Sequence, residues 1–436
     1  MRKALILAYY FPPQGGAGVQ RTLKFVQYLP ELGYQPVVVT GPEAAGAEWA
    51  PPDASLAAEV KGGTPVYRAA GPEPKRRRGW RARATRWLRL RPPFARWWVE
   101  GAVEAGRRAA AEHDIDVIYA SMSPFETAEA AERLAKELGK PWVADLRDPW
   151  ALDDWLVYPT RIHRRLELRR MRKSLAPADA VIMNTPEAAA QVQRRFPELT
   201  AVHTIPNGFD GADFDGAPPP RGDGSFRVVH AGFVHVRDGK GDRPTMAVRQ
   251  LLGGAVRGLD AGTRSHVYLL RAVRQLLERR PDLRGRIEVH LAGLLSEADR
   301  AVPGFELVTA HGYLPHDETV ALLRSGDLLF LPMHDLPEGR RARIVPGKTY
   351  EYLAARRPIL AAVPEGDVRD VLSAAGNAFV VRPKDVAGMA RVIEEQADRA
   401  AAGSPPPAPD EELLRGYERR ELTRRLGAVL DSVLAS

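Results

Sequence analysis

The sequence predicts an α/β protein with two doubly wound parallel-sheet domains. Short apolar runs recur along the chain and are continuous rather than alternating, which is typical of strands buried on both faces. Segments with apolar residues at helical spacing separate these runs, as at Val19, Leu23 and Val26. Residues 211–225, rich in glycine and proline, divide the runs into two series. A chain of 436 residues is long enough for two such domains.

The predicted strands follow in order from the start of the chain. The opening run is interpreted as a buried strand rather than a signal peptide, because Pro12-Pro13 and the glycines after it offer no cleavage site. Alternation of strand and helix predicts right-handed crossovers between the strands. The predicted strands cover residues 3–10, 36–40, 116–121, 141–146 and 180–184 in the first series, and residues 226–231, 286–292, 327–332, 358–363 and 377–381 in the second.

The glycine- and proline-rich break places the domain boundary. We expect one Rossmann-like domain over residues 1–215 and a second over residues 216–408, facing each other across a cleft. A second proline-rich break precedes a helix within residues 409–436, which we expect to return to the first domain. Residues 233–264 show no clear strand and are interpreted as an insertion that is partly helical.

Composition excludes several classes of protein. The hydrophobic fraction of 44% and the charged fraction of 27% are those of a soluble globular protein. The absence of cysteine excludes disulfide frameworks, cysteine nucleophiles, iron–sulfur clusters and cysteine-based zinc sites. No apolar run reaches the ~18 residues that a membrane-spanning helix needs.

The net charge of +8 is concentrated in residues 75–98, which contain ten Lys or Arg side chains and no acid. Half of the eight tryptophans also lie there: Trp80, Trp87, Trp97 and Trp98. Arginine interleaved with tryptophan favours contact with anionic membrane headgroups. A helix packed on the first domain is the second interpretation, and nucleic-acid binding is the least favoured, since no nucleic-acid-binding motif accompanies the segment. We therefore expect a cytoplasmic protein, peripheral on the inner face of the membrane, with no nucleic-acid partner.

A glycine-rich turn containing Gly15 and Gly16 joins the first predicted strand to the first predicted helix. Glycines at this position let backbone N–H groups approach an anion at a helix N-terminus, where the dipole adds a favourable potential. The spacing differs from the dinucleotide fingerprint G-x-G-x-x-G. The alternative interpretation is a turn that binds no ligand.

A second candidate site lies where Gly347 and Lys348 open a predicted helix, with Glu351 one turn later on the same face. Lysine supplies a point charge for phosphate, and a carboxylate accepts hydrogen bonds from both hydroxyls of a ribose. The pair therefore suits a nucleoside diphosphate. The alternative is an exposed ion pair, which stabilises a helix little.

A third candidate site follows the predicted strand at 141–146, where Asp145, Arg147 and Asp148 crowd together. The carboxyl ends of strands in open α/β sheets border the ligand crevice. Charged residues at that edge are therefore candidates for catalysis. The alternative is a structural Asp–Arg network that braces the following loop.

Six ordered motifs give the chain a resemblance to a known family. They are YYFPPQGGAGVQR, VADLRDPW, HTIPNGFD, LRGRIEVHLAG, VPGKTYEYLAARRPIL and YERRELTRRLGAVLDSVL. On these motifs, the chain resembles the retaining glycosyltransferases of the GT-B fold, in the family-four-like group, with the DLRDPW form of a subgroup. The resemblance implies that the first domain binds the acceptor and the second binds a nucleotide sugar.

The resemblance implies roles for single residues. Gly15 and Gly16 match the loop that approaches the donor's distal phosphate or sugar. Arg147 stands where the family commonly has a histidine near the transferred sugar. Glu351 matches the second glutamate of the E-x₇-E pattern, which contacts ribose, whereas Arg343 replaces the first glutamate.

The family's diphosphate-binding cations follow the first strand of the second domain. Arg264 is the best match, and Lys348 is expected to assist it. Tyr313 and Leu314 match the loop that packs against the nucleobase. The competitors of Arg264 are Arg237, Lys240 and Arg243.

Two patterns look like metal sites and are discounted. Asp213 and Asp215 form a D-x-D string, but they lie in the predicted linker rather than after a strand. The ten histidines are scattered without an H-E-x-x-H framework. We expect no metal and no cofactor, with a nucleotide-diphosphate sugar as donor substrate.

The sequence therefore predicts a hexosyl- or related glycosyltransferase that acts in cell-envelope polysaccharide or glycolipid synthesis. It would transfer sugar to a glycan or lipid-linked acceptor, and cations rather than a metal would stabilise the leaving diphosphate. The resemblance implies retention of configuration. Two alternatives remain: a nucleotide-sugar epimerase on the same scaffold, and a non-catalytic glycan-binding relative, which Arg343 keeps open.

Overall fold

A computed structural model describes the protein over residues 1–43, 52–74, 79–218, 224–234 and 243–435. The chain forms two compact units. Unit 1 comprises Met1–Asn207, Arg249–Ala255 and Arg419–Ser436, and unit 2 comprises Gly208–Val248 and Val256–Glu418.

Strands and helices alternate along most of the described chain. The strands are β1 (Arg2–Ala8), β2 (Tyr34–Thr40), β3 (Val66–Arg68), β4 (Val117–Met122), β5 (Trp142–Leu146), β6 (Ala180–Met183), β7 (Val202–Thr204), β8 (Phe226–Ala231), β9 (Ile287–Ala292), β10 (Val308–Gly312), β11 (Leu328–Pro332), β12 (Ile359–Ala362) and β13 (Ala378–Val381). The helices are α1 (Ala17–Tyr28), α2 (Ala54–Ala58), α3 (Gly79–Trp87), α4 (Pro93–Glu112), α5 (Thr127–Leu138), α6 (Arg161–Leu175), α7 (Pro186–Arg195), α8 (Arg243–Leu251), α9 (Val267–Arg279), α10 (Glu297–Arg300), α11 (His316–Ser325), α12 (Lys348–Ala354), α13 (Asp367–Ala375), α14 (Val386–Ala401), α15 (Glu411–Arg415) and α16 (Arg419–Leu434).

Unit 1 is built on a parallel sheet with the strand order β3-β2-β1-β4-β5-β6-β7. In the central register, Leu5 lies opposite Val37 on one side and Ile118 on the other. The order reverses between β1 and β4, so the carboxyl ends of these strands border the position where such sheets bind ligands.

Both faces of this sheet are covered, which accounts for the continuous apolar strands. Leu5 and Leu7 face a cluster that includes Trp98 of α4 and Leu134 of α5. Ile6, between them, faces a second cluster under α1 and α16. Alternate residues of one strand therefore enter two separate cores.

The helix α16 belongs to unit 1 although it follows unit 2 in the chain. Its residues Leu422, Leu426 and Leu430, spaced at i, i+4 and i+8, are buried in the second cluster. The Tyr34 hydroxyl donates a hydrogen bond of 2.7 Å to the carboxylate of Asp431 in this helix.

Unit 2 has its own parallel sheet, with the strand order β10-β9-β8-β11-β12-β13. Val228 packs with Leu276 of α9 on one face. Val229 packs with Leu353 of α12 on the other. The predicted fold class, two doubly wound parallel-sheet α/β domains, is confirmed.

All ten predicted strands are present, and the described residues contain three further strands that were not predicted. The three are β3, β7 and β10, and each lies at an edge of its sheet. None of their residues is fully buried. An edge strand contacts a neighbour on one side only, so it needs no continuous apolar run and gives a weak sequence pattern.

The division between the units differs from the predicted boundary after residue 215. The first segment of unit 1 ends at Asn207, because Phe209 and Phe214 are buried in the core of unit 2. The predicted C-terminal helix is two helices, α15 and α16, of which α16 alone lies in unit 1. The predicted insertion contains α8, and its residues 235–242 lie outside the described part of the chain.

Among the residues that the structure describes, no helix has the length and apolar character to span a membrane.

A buried ion pair holds unit 1 together at the carboxyl end of β5. The Arg21 guanidinium, from α1, donates hydrogen bonds of 2.7 and 2.9 Å to the two carboxylate oxygens of Asp145. It also donates to the carbonyl oxygens of Ile205 and Pro206 at 3.0 and 2.7 Å. The Tyr119 hydroxyl donates to the same carboxylate. Four separate segments therefore meet at the Arg21–Asp145 pair.

Both charged groups of this pair are withdrawn from water, with 1% and 0% of their side chains exposed. Burial lowers the pKa of the Arg21 guanidinium, but Asp145 and Tyr119 more than offset this, so that the pKa lies above its usual value. Burial and the neighbouring Asp145 carboxylate raise the pKa of Tyr119. Removing one partner would leave an uncompensated buried charge.

Replacing Arg21 by methionine is expected to lower the free energy of unfolding of unit 1 by about 3–5 kcal/mol, because Asp145 would remain buried without its cation. The matched control is Arg107→Met, which removes an exposed pair with Glu137 and is expected to cost less than about 1 kcal/mol. Urea unfolding followed by tryptophan fluorescence measures this, since all eight tryptophans lie between residues 1 and 207. Equal losses in the two variants would contradict the role given to the pair.

Candidate active site

The glycine-rich turn of unit 1 lies between β1 and α1. Gly16 occupies the N-cap position of α1 with a φ of 91°, which only glycine adopts without strain. As a glycine, Gly16 has no side chain with which to cap this helix end. The helix has 12 residues, and in its first turn the amide of Val19 donates to the carbonyl oxygen of Gly16 at 3.0 Å. The N-terminus of such a helix is a position where an anion can bind.

The side chain of Arg147 is fixed against the same turn. Its guanidinium donates a 3.1 Å hydrogen bond to the carbonyl oxygen of Met122 and a second one to that of Gly18. It also lies over the ring of Tyr10, 5.6 Å from the centroid. A Cβ atom at residue 18 would lie 2.8 Å from this guanidinium, so glycine leaves room for Arg147 in this position. Arg147 and the predicted Gly15–Gly16 turn are thus brought together.

The other two residues of this predicted cluster are not equivalent to Arg147. Asp145 is fully buried, and both of its oxygens accept hydrogen bonds inside unit 1. Its contacts support the structural alternative, because a carboxylate enclosed in this way has no surface for a substrate. Asp148 is exposed after the end of β5. A catalytic role for Asp148 stays a prediction.

In unit 2, the side chain of Lys348 lies beside the carboxyl end of β8. Its ammonium group lies so close to Gly232 that any Cβ atom there would collide with Nζ. Gly232 has a φ of 111°, which also favours glycine. Next to Lys348 in sequence, a Cβ atom on Gly347 would lie more than 4 Å from the surrounding described atoms. Open space therefore lies beside the backbone at the start of α12.

The imidazole of His230, the fifth residue of β8, faces the same ammonium group. Its Nδ1 lies 2.8 Å from the carbonyl oxygen of Phe330, so Nδ1 carries the proton in this contact. Its Nε2 lies 3.4 Å from Lys348 Nζ. Burial, followed by the charge of Lys348, lowers the pKa of His230 well below its usual value. His230 is therefore neutral and accepts a hydrogen bond from Lys348.

A second cation, Arg264, lies near Lys348. Burial and the charge of Arg264 lower the pKa of Lys348 to about 7, and Glu351 offsets only part of this. Arg264 also acts on His230 electrostatically. Two cationic side chains and a neutral histidine thus share one site, and an anion bound there would relieve the repulsion between the cations.

The backbone around Arg264 is held by its neighbours. Thr263 Oγ1 donates to the carbonyl oxygen of Met333 at 2.9 Å, and Ser265 Oγ donates to that of Gly262 at 2.6 Å. The residue therefore has a fixed position just before α9. Of its predicted competitors, Arg237 and Lys240 lie outside the described residues. Arg243 begins α8.

The remaining predicted residues of unit 2 lie on α12, just before it, and after β10. Glu351 lies half-buried in the first turn of α12. Arg343 lies half-buried just before that helix, next to Ala342, whose amide donates to the carbonyl oxygen of Glu365 at 2.7 Å. Tyr313 and Leu314 follow β10, two strands from β8 in the sheet.

The discounted D-x-D string has a structural explanation. The Asp213 carboxylate accepts a 2.9 Å hydrogen bond from Nε2 of His316, which lies in the first turn of α11 within unit 2. The rings of His290 and His311 are stacked, with 2.9 Å between Nδ1 of His290 and Nε2 of His311. In the part of the chain that the structure describes, no group of three or more His, Asp or Glu side chains is arranged to hold a metal ion.

The sequence did not single out His230, Gly232 or Arg21 as functional or structural residues. His230 lies at the carboxyl end of the predicted strand 226–231, and Gly232 follows that strand. The carboxyl ends of parallel strands border ligand sites, so this position was the available signal for a functional role. Arg21 was part of the YYFPPQGGAGVQR motif, but its partner Asp145 lies far away in sequence.

Comparison with protein families matches both halves of the chain. A glycosyl transferase 4-like domain matches residues 15–208. A domain of the glycosyl transferases group 1 matches residues 254–398. A comparison with curated proteins gave no match.

Solved structures with this fold cover the whole chain at low sequence identity. Sucrose-phosphate synthase from Thermosynechococcus elongatus is 14% identical, with a TM-score of 0.65 and coverage of 100% of both chains. Anabaena HepE in complex with UDP-glucose is 16% identical, with a TM-score of 0.57 and coverage of 99% of this chain and 100% of that one. An α,α-trehalose-phosphate synthase (UDP-forming) from Burkholderia vietnamiensis is 12% identical, with a TM-score of 0.56 and coverage of 99% and 100%.

These structures share the arrangement of two parallel-sheet α/β domains that the strand orders of units 1 and 2 display. The two family domains together account for most of the residues of both units. The chain therefore belongs to the glycosyltransferases and is a glycosyltransferase enzyme of the GT-B type.

Proposed function

We propose that this enzyme transfers a sugar from a nucleoside-diphosphate sugar to a glycan or lipid-linked acceptor, with retention of configuration and without a metal ion. The proximity of Arg264 and Lys348 in unit 2 carries the proposal. Two cations near each other, one of them with its pKa lowered to about 7, repel each other and form a site that favours an anion. A diphosphate carries enough negative charge to pair with both Arg264 and Lys348.

The same site also suits the nucleoside part of a nucleoside diphosphate. Glu351 lies one helical turn after Lys348. A carboxylate at this distance can accept hydrogen bonds from both hydroxyls of a ribose that is linked to the bound diphosphate. Tyr313 and Leu314, at the end of β10, remain our candidates for contact with the base.

The nature of the base is supported by similar structures. HepE was solved with UDP-glucose, and the Burkholderia trehalose-phosphate synthase is described as UDP-forming. We therefore propose a UDP-sugar as the donor, with a hexose or a related sugar as the transferred group.

The reaction breaks the bond between the anomeric carbon and the diphosphate oxygen, and the electron pair of that bond goes to the diphosphate. Arg264 and Lys348 stabilise the charge that develops there, in place of a metal ion. An acceptor hydroxyl then bonds to the anomeric carbon from the face that the diphosphate leaves, and its proton passes to a diphosphate oxygen. This course retains configuration and needs no covalent enzyme intermediate.

In unit 1, we propose that the Gly15–Gly16 turn and Arg147 serve the sugar or the distal phosphate. The backbone N–H groups at the start of α1 suit a phosphate or sugar oxygen. Arg147 positions this turn through its hydrogen bond to the carbonyl of Gly18. We further propose a role in cell-envelope polysaccharide or glycolipid synthesis, at the inner face of the membrane.

Two alternatives are separated by the products formed. A nucleotide-sugar epimerase would convert the donor in the absence of any acceptor, and a C2-epimerised UDP-sugar after incubation with donor alone would favour it. A non-catalytic relative would bind the donor without turnover. Release of UDP that depends on an acceptor supports the proposed transfer.

Replacing Glu351 by alanine is expected to weaken UDP binding about 10- to 150-fold, because two hydrogen bonds from ribose to a carboxylate are lost. The matched control is Glu318→Ala, since Glu318 lies in the first turn of α11 as Glu351 does in α12. Isothermal titration with UDP measures both affinities. An unchanged affinity in the Glu351 variant, with the control also unchanged, would contradict the assignment of the ribose site.

UDP affinity is expected to fall as the pH rises from 7 to 9, by up to about tenfold per pH unit. The reason is that Lys348, with a pKa of about 7 in the free enzyme, must gain a proton to pair with the diphosphate. Above pH 7 this proton uptake opposes binding, whereas below pH 7 the lysine is already charged. Titrations across this range measure the slope.

The variant Lys348→Met is expected to bind UDP more weakly at pH 7 and to lose the slope between pH 7 and 9. Lys173→Met, at an exposed position in the last turn of α6, is the control and should keep the slope. If the Lys348 variant retained the pH dependence of the parent enzyme, another group would bind the diphosphate.

A further inference from the structure

We propose that unit 1 binds an anionic lipid bilayer through a single face formed by three segments: Trp80, Trp87 and Leu88 in and just after α3, the part of α6 from Arg161 to Arg169, and residues 249–255. We call it the docking face. The sequence indicated only residues 75–98, of which 75–78 lie outside the described residues. The structure adds the other two segments and shows how they are joined.

The first segment exposes large apolar side chains. Trp80 is 73% exposed, Trp87 is 54% exposed, and Leu88 is 68% exposed. In contrast, Trp98 of the same predicted basic segment is fully buried, and its indole N–H donates to Thr127. The segment therefore divides into a part that packs in the core and a part whose apolar surface faces solvent.

The second segment adjoins the first at the start of α6. The His163 ring lies edge-on to the Trp87 ring at 5.2 Å between centroids, and its Nε2 lies 3.0 Å from the carbonyl oxygen of Trp87. The preceding residue, Ile162, is 65% exposed. This isoleucine thus continues the apolar surface of α3.

The third segment is attached to the second through the backbone. The amide of Arg161 donates to the carbonyl oxygen of Leu252 at 2.8 Å, and the amide of Tyr158 donates to that of Gly254 at 2.8 Å. A Cβ atom on Gly254 would collide with the carbonyl oxygen of Tyr158, so the contact requires glycine. The segment presents the exposed side chains of Leu251 and Leu252 beside α6.

Arginines accompany these apolar side chains. Arg161, Arg165 and Arg169 are exposed at i, i+4 and i+8 and so share one side of α6. Within the described part of the chain they form no ion pair, whereas Arg170 and Arg172 pair with Glu126 and Glu198. This row begins at Arg161, which precedes Ile162 and lies against Gly253 of the third segment. A row of cations that starts next to exposed apolar side chains complements an anionic membrane surface.

The chemistry of the docking face favours a bilayer over a nucleic acid. A single-stranded nucleic acid would use the tryptophans for stacking and the arginines for phosphate. Such a partner would not bury the exposed aliphatic side chains of Ile162, Leu251 and Leu252 by stacking, because aliphatic side chains do not stack on bases. Insertion at the boundary of headgroups and acyl chains buries aliphatic and indole groups together.

This inference rests on the proposed function only in that a lipid-linked acceptor would lie at such a surface. Lipid binding is measured on the full-length protein without donor or acceptor, and UDP binding is measured separately. Loss of one property therefore does not imply loss of the other.

The experiment is vesicle flotation with phosphatidylcholine alone and with an equal mixture of phosphatidylcholine and phosphatidylglycerol. We expect binding to the anionic vesicles at low salt, and weaker binding at about 1 M salt, where the Debye length is about 3 Å. We expect little binding to phosphatidylcholine alone. Equal recovery with both vesicles at both salt concentrations would overturn the electrostatic part of the proposal.

Two variants locate the face. The triple variant Arg161→Glu, Arg165→Glu, Arg169→Glu is expected to lower partition into anionic vesicles at least about 100-fold, since each cation at the surface adds to binding. The control has the same change in charge elsewhere and should bind as the parent does: Arg284→Glu, Arg286→Glu, Arg391→Glu, all at exposed positions of unit 2. A second variant, Ile162→Ser with Leu251→Ser, should lower partition while leaving its salt dependence.

UDP binding and tryptophan fluorescence confirm that each variant is folded. Equal losses in the triple variant and its control would show that net charge alone governs binding, and the docking face would be wrong. Binding to a single-stranded oligonucleotide, together with no flotation on anionic vesicles, would identify a nucleic acid as the partner instead and would also overturn the proposal.

Discussion

Two cations held close together are the constraint on which the candidate site depends. Arg264 and Lys348 repel each other, and burial removes the water that would screen them, so the ammonium of Lys348 loses its proton more readily than an ordinary lysine. Three features of the fold hold the two cations in place. Thr263, next to Arg264, is hydrogen-bonded to the backbone of Met333. Gly232 lets Lys348 approach the end of β8, and neutral His230 accepts a hydrogen bond from Lys348. A protein that keeps two cations in such a position gains most when an anion joins them.

Unit 1 uses buried charge in the opposite way. Arg21 and Asp145 neutralise each other completely, and neither is open to a ligand. Their role is to join α1 to the end of β5, which fixes the two places from which the Gly15–Gly16 turn and Arg147 arise. One unit thus brings two cations near each other, while the other uses a buried ion pair to hold a turn in place.

The sequence predicted the central strands well, because a strand buried on both faces must be apolar throughout, as in β1 and β11. It missed β3, β7 and β10, which lie at sheet edges and need no such run. For the site, local patterns found Lys348 and Glu351, one helical turn apart. They could not show that Asp145 is enclosed by Arg21, or that His230 faces Lys348, since each contact joins residues more than 100 positions apart. Contacts of this kind depend on the topology of the sheet rather than on any local pattern.

The position of α16 in unit 1 has a consequence for how the protein is made. One core cluster of unit 1 includes Leu422, Leu426 and Leu430, yet roughly 200 residues separate Asn207 from this helix. At about 5–20 residues per second, a ribosome needs roughly 10–40 s to synthesise that stretch. During this interval the apolar groove that α16 will fill stays open on the nascent chain, while unit 2 can fold as soon as it emerges. Unit 1, which holds the first residues of the chain, is therefore completed after unit 2, and its apolar groove is exposed to water until α16 emerges.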